Sequence, residues 1–409
     1  MTGLRTGVYV AHVYGGTPLE PFGDLLEREF PRAGEGVFMN TAAQGLLPRR
    51  TLAAMAEFDS GRGWPNRIDD DRLAEVEATV RAEIAALVAA PVERVGLATN
   101  TSDGLSVAAL HLPLEPGDRV LAARGEFPAN VHPWLARVGI GVEFLEPSGA
   151  HLSAADYAAR LDADPRIRAV AVSLVQFSTG HRHPVEAIAR ACRERGVFCV
   201  VDGIQGIGAV PFAWEDGLYD VVACGGQKWL CAPWGAGFFL AAEWLCREAE
   251  PVRAGWLQTV GARASGYAEL CGYVHEFRED ATRFEVGTYS YTALLGLGES
   301  VGLLRELGVE RIHAHARALV APLEAALAER GGELLACADD ACRSGILCFR
   351  LGGPAATRRA FERLRAAGVA CALREGAVRL AVHLYNTPAD VERATEVALG
   401  AAPARAGAR

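Results

Sequence analysis

Lysine is almost absent from this chain of 409 residues. Lys228 is the only one, so 40 of the 41 basic residues are arginine. A guanidinium stays protonated at every working pH, whereas a partly buried amine can lose its proton, act as a nucleophile or base, and form a Schiff base. Lys228 lies in CGGQKWLCAPWGAG (224–237), whose composition is unlike that of a solvated surface. We therefore favour a chemical role for Lys228 over chance survival during drift from lysine to arginine.

Other features are missing as well. No apolar run approaches the ~18 residues of a membrane span, and the N-terminus has no apolar core of signal-peptide type, so we expect a cytoplasmic protein without membrane contact. The net charge is −9, and no block of like charge suggests nucleic-acid binding. The ten cysteines contain no C-x-x-C pair, so most are expected to be buried thiols, with neither a disulfide framework nor a metal site.

Phosphate-binding loops of nucleotide enzymes are also absent. The chain has neither G-x-x-x-x-G-K-[ST] nor G-x-G-x-x-G at a strand end. Nucleotide cofactors therefore lack their usual binding motifs here.

Short apolar runs alternate with longer segments of helical period from about residue 95 to residue 241. This alternation predicts an α/β fold with a mostly parallel sheet that has helices on both faces. A long amphipathic helix is expected over 69–90, and beyond residue 254 the pattern changes to that of a smaller α+β unit. We divide the chain into an N-terminal segment (1–35), a large domain (36–262), a small C-terminal domain (263–400) and a flexible tail (401–409).

Polar residues end two predicted strands and open one predicted helix. Asp202 ends VFCVVD, Lys228 follows DVVACGG, and Thr101 and Ser102 begin the helix after RVGLAT. Ligands of open α/β sheets bind beyond the carboxyl ends of the strands. Taken singly, Asp202 can be a turn cap, and Thr101 with Ser102 an N-cap box. Together, an amine, a carboxylate and a helix N-terminus are what pyridoxal 5'-phosphate needs for its aldehyde, ring nitrogen and phosphate.

The motifs VDGIQGIGAVPF, GGQKWL and RFEVGT make the chain resemble the fold type I pyridoxal-phosphate enzymes. Within them it is similar to the class V aminotransferase family, which includes cysteine desulfurases, isopenicillin-N-epimerase-like proteins and C–S lyases. The similarity spans roughly residues 36–399. It implies a seven-stranded, mostly parallel sheet between helices, pyridoxal 5'-phosphate as cofactor, and a homodimer with shared active sites.

The resemblance implies roles for the residues that match its motifs. Lys228 carries the cofactor as a Schiff base, Asp202 pairs with the pyridine nitrogen, and Gln205 lies near the ring hydroxyl. Thr101 and Ser102 match the turn that binds the phosphate.

Three further matches differ from desulfurases or involve a second subunit. Phe127 takes the position that stacks on the cofactor ring, where desulfurases carry a histidine, and a phenyl ring cannot exchange protons. Gln227 replaces the imidazole of the desulfurase Ser-Gly-His-Lys motif. Thr288 matches the residue that reaches the phosphate of the neighbouring subunit.

The resemblance also concerns the substrate. Arg379 matches the arginine that grips the α-carboxylate, with an exposed strand arginine as the alternative. Desulfurases place a mobile loop with a nucleophilic cysteine before that strand, whereas LREG (373–376) runs almost directly into AVRL here. Cys371 is expected in the core because it belongs to the alternating run VACALREG (369–376). Further pocket candidates, each with core packing as the alternative, are Asn40, Gln176, Phe177, Trp229 and Tyr289.

The missing loop favours β-elimination from a cysteine S-conjugate or a similar amino acid substrate. Aminotransfer, epimerisation and a decarboxylating deamination of a cysteine conjugate would use the same residues and stay open. The alternative outside enzymes is a protein that binds the cofactor but catalyses no reaction.

Overall fold

A computed structural model of the chain describes residues 22–31, 33–147, 151–261, 268, 271–273 and 275–400. The first 21 residues of the predicted N-terminal segment and the predicted tail 401–409 lie outside these residues, as does the predicted domain boundary at 262. No helix within the described residues is long and apolar enough to cross a membrane.

The described residues of the first part of the chain include eight strands. They are β1 (Val37–Phe38), β2 (Val95–Ala98), β3 (Arg119–Ala123), β4 (Gly141–Leu145), β5 (Ile167–Ser173), β6 (Phe198–Asp202), β7 (Val221–Gly225) and β8 (Gly237–Ala241). Seven of them form one sheet in the order β2-β8-β7-β6-β5-β3-β4. Only β8 runs antiparallel to its neighbours, β2 and β7. The prediction of a mostly parallel sheet is confirmed.

The inner strands of this sheet are mostly apolar because both faces are covered. In β5, Val170 and Val172 belong to one core cluster, while Ala169 and Ala171 belong to the cluster on the opposite side. Successive side chains of a strand point to opposite faces, so a continuous apolar run indicates helices on both sides.

The helices of this part are α1 (Asp24–Glu29), α2 (Arg49–Arg62), α3 (Asp70–Leu87), α4 (Thr101–His111), α5 (His132–Leu135), α6 (Ala154–Ala163), α7 (Val185–Arg193) and α8 (Glu243–Glu248). The amphipathic helix predicted over 69–90 is α3. Asp69 caps it by accepting a hydrogen bond from Arg72 N–H at 2.9 Å.

The C-terminal part is a separate α+β arrangement. Its helices are α9 (Tyr291–Leu307), α10 (Val309–Glu329), α11 (Pro354–Ala366) and α12 (Pro388–Leu399), and its strands are β9 (Glu333–Leu334), β10 (Ile346–Arg350), β11 (Val369–Ala370), β12 (Ala372–Arg374) and β13 (Ala377–Ala381). Four strands form an antiparallel sheet in the order β12-β13-β10-β9. Phe349, Leu323 and Leu380 lie in a core cluster of their own.

The start of the described chain pairs with its end. β1 lies parallel to β11, and Asn40 forms a bridge with Ala381. These contacts tie residues 37–40 to the C-terminal strands, although the sequence places them in the large domain. The domain limits themselves stay predictions.

The predicted strand 369–376 is interrupted at Cys371. β11 pairs with β1, whereas β12 pairs with β13, so the two halves belong to different sheets. The strict alternation expected for Cys371 is therefore wrong: Val369 and Ala372 are buried, and Cys371 is half-buried against the core. The expectation that Cys371 packs on the core holds only in part.

Candidate active site

Asp202 and Lys228 lie at one edge of the central sheet. β6 and β7 are parallel neighbours, with Asp202 opposite Ala223, and Lys228 follows β7 by three residues. The Asp202 carboxyl is buried and accepts a hydrogen bond from Ile204 N–H at 3.0 Å. Burial raises the pKa of Asp202, and the charge on Lys228 opposes that rise. The sheet thus places an acid and an amine beside each other.

The Lys228 amine is held in a weakly solvated position. Burial lowers its pKa to about 8, Asp202 acts in the opposite direction, and Arg379 adds to the decrease. At pH 7, roughly a tenth of an amine with this pKa carries no proton, compared with less than ~0.1% of an ordinary lysine. Lys228 can therefore act as a nucleophile or base near neutral pH.

Close backbone contacts fix the segment around Lys228. Gly45 N–H donates to the Gln227 carbonyl at 2.9 Å, and a Cβ at Gly45 would lie 2.2 Å from the Lys228 carbonyl oxygen. Only glycine permits this approach. Beyond Lys228, buried Cys231 has a positive φ of 51°, and its carbonyl accepts a hydrogen bond from Ser300 at 2.8 Å. The amine therefore extends from a fixed backbone.

The N-terminus of α4 lies next to the end of β7. Asn100 caps the helix by accepting from Asp103 N–H at 3.0 Å, and the Thr101 hydroxyl accepts from Gly225 N–H at 2.9 Å. The first backbone N–H groups of a helix, here those of Thr101 and Ser102, have no acceptor within the helix. With the positive end of the helix dipole they offer a site for a phosphate.

An aromatic side chain approaches the amine from the end of β3. Lys228 Nζ lies 5.5 Å from the centre of the Phe127 ring, which is 41% exposed. Phe127 contacts Phe177 edge to face, with 5.2 Å between ring centres. Lys228 thus has an aromatic wall beside it.

Two glutamines adjoin the acid and the amine. Gln205 is buried, donates to the Ala42 carbonyl at 3.0 Å and accepts from the Trp229 indole N–H at 2.8 Å. Its amide keeps one N–H and one lone pair for a further partner. The Gln227 side chain folds over Gly225, so a Cβ on Gly225 would lie 2.5 Å from Gln227 Oε1.

Arg379 and Asn40 carry buried polar atoms that have no partner in the described part of the chain. Arg379 is 2% exposed and donates from Nη1 to the Phe177 carbonyl at 3.1 Å, but its buried Nε has no partner among the described residues. Burial lowers the pKa of Arg379 to about 10. The buried Oδ1 of Asn40 is also unpaired, and Asn40 bridges Ala381, two residues from Arg379. A buried cation without an acid is costly, which suits a site that receives a carboxylate.

Pyridoxal 5'-phosphate fits this donor set. Lys228 would hold its aldehyde carbon, Asp202 its ring nitrogen, and the start of α4 at Thr101 and Ser102 its phosphate. We propose these assignments, with Phe127 and Gln205 beside the ring, Gln227 next to the attachment point, and Arg379 with Asn40 at the substrate carboxylate.

Two predicted pocket residues use their polar groups elsewhere. Gln176 donates to the Arg124 carbonyl at 3.0 Å and accepts from the Thr179 hydroxyl at 2.9 Å. Trp229 is fully buried and donates to Gln205. Core packing, the alternative considered for both, describes these contacts better than direct substrate contact.

Thr288 and Tyr289 lie at a different cavity. This cavity of about 340 Å³ is also lined by Thr99 and Asp103. Thr288 is exposed, and the Tyr289 hydroxyl donates to the carboxylate of Glu285. Exposure leaves Thr288 free to reach a second subunit, as the family resemblance implies, and that role stays a prediction.

Sequence reasoning missed Glu126. Its buried carboxyl accepts hydrogen bonds from Ser173 N–H at 2.8 Å, from the Ser173 hydroxyl and from Asn130 at 3.1 Å. Burial raises the pKa of Glu126 to about 7, and nearby Asp202 adds to the increase. Its position in the sequence, directly before Phe127 and four residues before Asn130, was the only signal that could have pointed to Glu126. Glu126 links the segment after β3 to the end of β5.

Lys228→Arg should keep the positive charge and abolish covalent attachment of pyridoxal 5'-phosphate, because only the amine forms an imine. Borohydride treatment of the loaded wild-type protein should leave a pyridoxyl group on the peptide that contains Lys228, as detected by mass spectrometry. No other side chain in the chain is a lysine, so the N-terminal amine is the sole competitor. A pyridoxyl group there alone, or none, would contradict the assignment.

Glu126 should make folding pH-dependent. In the unfolded chain, the Glu126 carboxyl loses its proton once the pH exceeds its ordinary pKa of 4.5. In the folded chain, it keeps the proton up to about pH 7. The native state therefore loses stability from this group as the pH rises through that window, by about 3 kcal/mol for a shift of this size. Glu126→Gln cannot ionise, so its free energy of unfolding should rise by this amount relative to wild type between pH 4.5 and 7, measured by urea denaturation.

Glu329→Gln is the matched control, because Glu329 is exposed at the end of α10. Its stability difference from wild type should stay constant over the same range. A constant difference for Glu126→Gln as well would show that the folded protein does not hold the Glu126 proton.

Comparison with known proteins assigns the chain to a family. The family model of aminotransferase class-V matches residues 37–394. A probable cysteine desulfurase of Aeropyrum pernix is 32% identical over 300 residues, covering 70% of this chain and 71% of that protein. The isopenicillin N epimerase of Streptomyces clavuligerus is 29% identical over 377 residues, covering 87% and 92%.

Solved structures share the fold. The cystine C-S lyase C-DES, in complex with its product cysteine persulfide, superposes with a TM-score of 0.81 at 23% identity, covering 90% of this chain and 99% of that chain. A cysteine desulfurase of Thermococcus onnurineus gives a TM-score of 0.79 at 22% identity, covering 90% and 95%. The chain belongs to the aminotransferase class-V family and is a pyridoxal 5'-phosphate-dependent enzyme.

Proposed function

We propose that this enzyme is a lyase that cleaves the C–S bond at the β-carbon of a cysteine S-conjugate. The observation that carries the proposal is the turn between β12 and β13, the strand that bears Arg379. Only Glu375 and Gly376 connect the two strands, with φ of 46° and 74°. Positive φ at both central residues is typical of a tight type I′ hairpin. Such a turn has no room for a loop that brings a cysteine to the substrate sulfur.

The cysteines nearest the proposed site are poor nucleophiles. Cys348 lies opposite Arg379 in the sheet, and burial raises the pKa of its thiol to about 12. Burial also raises the pKa of Cys371 to about 11 and that of Cys224 further. Because the thiolate is the reactive form, these values favour elimination over transfer of sulfur to an enzyme thiol.

Each of the proposed site residues has a separate role in the elimination. Arg379 and Asn40 bind the α-carboxylate, and unprotonated Lys228 removes the proton from the α-carbon. Bound pyridoxal 5'-phosphate supplies an electron sink for that step, with Asp202 keeping its ring nitrogen protonated. The C–S bond breaks with its electron pair on sulfur, and Lys228 returns a proton to the thiolate.

The reaction balances without an oxidant or reductant. The released aminoacrylate takes up one water and yields pyruvate and ammonia, so one S-conjugate gives one thiol, one pyruvate and one ammonia. The aromatic pair Phe127 and Phe177 offers an apolar wall for the group carried on sulfur. A conjugate with an apolar S-substituent is the substrate class that this wall favours.

A homodimer belongs to the same proposal. Thr288 is exposed, and so is Trp234, which is 70% exposed six residues after Lys228. A second subunit would cover these positions and bring its Thr288 toward the phosphate site. The cytoplasmic location stays a prediction.

Epimerisation is the second candidate, because the similarity to isopenicillin N epimerase covers 92% of that protein. It uses the same proton removal by Lys228 but returns a proton to the opposite face of the α-carbon. Its product keeps the amino group and the C–S bond. Product analysis therefore separates the two reactions.

S-phenyl-L-cysteine, incubated with the loaded enzyme, should yield thiophenol, pyruvate and ammonia in equal amounts. Cys371→Ser should retain most of this activity, since its half-buried thiol takes no part. Alanine and a protein persulfide formed from free cysteine would instead identify a desulfurase. Inversion or deuterium exchange at the α-carbon without ammonia would identify an epimerase.

Arg379→Lys should raise KM for the amino acid by roughly 10- to 100-fold, as expected for losing a charged two-point contact, with a smaller fall in kcat. Arg374→Lys is the matched control, because Arg374 is exposed in β12 and donates to the neighbouring Leu373 carbonyl. The control should keep KM near the wild-type value. An unchanged KM in Arg379→Lys would remove Arg379 from the substrate site.

A further inference from the structure

A histidine and two cysteines meet between the two parts of the molecule. His181 follows β5 of the central sheet, whereas Cys337 and Cys342 precede β10 in the C-terminal sheet. Their ligand atoms all lie within 4.8 Å of one another. This group is separate from Lys228 and Asp202, and the proposed reaction makes no use of it.

The His181 ring presents an unused lone pair. His181 is 3% exposed, and its Nε2 lies 3.3 Å from the Leu152 carbonyl. A carbonyl only accepts, so Nε2 carries the hydrogen of the neutral ring. The buried Nδ1 then carries the lone pair, and it has no partner among the described residues. This is the tautomer in which imidazole binds a metal.

Neighbouring rings hold His181 in place. The His151 ring stacks on it with 4.6 Å between centres and 12° between planes, and His183 contacts it edge to face at 4.7 Å. The Gln176 N–H donates to the His181 carbonyl at 2.8 Å. The ring orientation is therefore fixed before any ligand arrives.

Backbone contacts also position the two thiols. They belong to the run CADDAC, with four residues between them. The Cys342 carbonyl accepts from Arg182 N–H at 2.8 Å, and the Cys337 carbonyl accepts from Arg343 Nε at 2.7 Å. Because Arg182 directly follows His181, the same contact brings the histidine and the cysteines together. Both cysteines are half-buried, which leaves an ion a path from solvent.

The geometry points to a zinc site formed by His181 Nδ1, Cys337 Sγ and Cys342 Sγ, with the fourth position open to water. One imidazole nitrogen and two sulfurs are a soft donor set that suits Zn²⁺. The donors of a tetrahedral zinc site lie about 3.3–3.8 Å apart, so only a small closure of the present spacing is needed. Two thiolates and a neutral imidazole would cancel the charge of the ion.

Such a site would join the two parts of the chain. His181 lies in the segment that also carries Phe177, whose carbonyl accepts from Arg379. A metal held by His181 and the two cysteines would tie this segment to the C-terminal sheet.

The test is metal titration of the reduced, chelator-treated holoenzyme with Zn²⁺ and Co²⁺. We expect one tightly bound equivalent of Zn²⁺, and tetrahedral Co²⁺ bands in the red part of the spectrum, where the cofactor does not absorb. Cys337→Ser and Cys342→Ser should each weaken binding by more than the ~10- to 100-fold typical of residues that only support a ligand. Cys271→Ser, at an exposed cysteine, is the matched control and should bind metal as wild type does.

The readout does not depend on turnover, so it is independent of the reaction proposed above. Absence of a bound equivalent, or unchanged binding in Cys337→Ser, would overturn the zinc site. A Cys337–Cys342 disulfide that re-forms in preference to metal binding, seen as a mass 2 Da lower, would overturn it too. His181→Asn adds a variant that keeps a polar side chain, and wild-type affinity there would also count against the site.

Discussion

Desolvation of one amine is the constraint on which the site depends. Lys228 follows a fully buried strand and is held by a glycine contact that admits no side chain, so its charge is poorly solvated and its pKa falls to about 8. A guanidinium in this position would stay charged and inert. The adjacent strand brings buried Asp202 beside the amine, and its negative charge limits the decrease in pKa.

Arg379 is a second poorly solvated cation near Lys228. It is buried close enough to Lys228 to lower the pKa of that amine, and its Nε is unpaired among the described residues. Arg379 and Lys228 repel each other, and Asp202 offsets this repulsion only at the lysine. A substrate carboxylate and an anionic cofactor would offset this repulsion between Arg379 and Lys228.

The proposed choice among reactions rests on the segment that connects β12 to β13. The same family frame supports desulfuration, elimination and epimerisation, because all three begin with the proton at the α-carbon. Here β12 and β13 are joined by two residues with positive φ, and the nearby thiols are buried with raised pKa values. In the proposed function, this short turn favours elimination because it excludes a loop that carries a nucleophilic cysteine.

Local periodicity and strand direction were enough to predict the alternation of strands and helices and the mostly parallel sheet. They also placed Asp202 and Lys228 after strands and Thr101 at the start of a helix. Contacts between distant segments needed the tertiary structure. It showed that residues 37–40 pair with the C-terminal strands, that Cys371 separates two sheets, that Gln176 is occupied by Arg124 and Thr179, and that Glu126 bonds Ser173. It also brought His181 to Cys337 and Cys342. No local pattern encodes such a meeting, because it depends on how two sheets, each folded by its own periodicity, pack against one another.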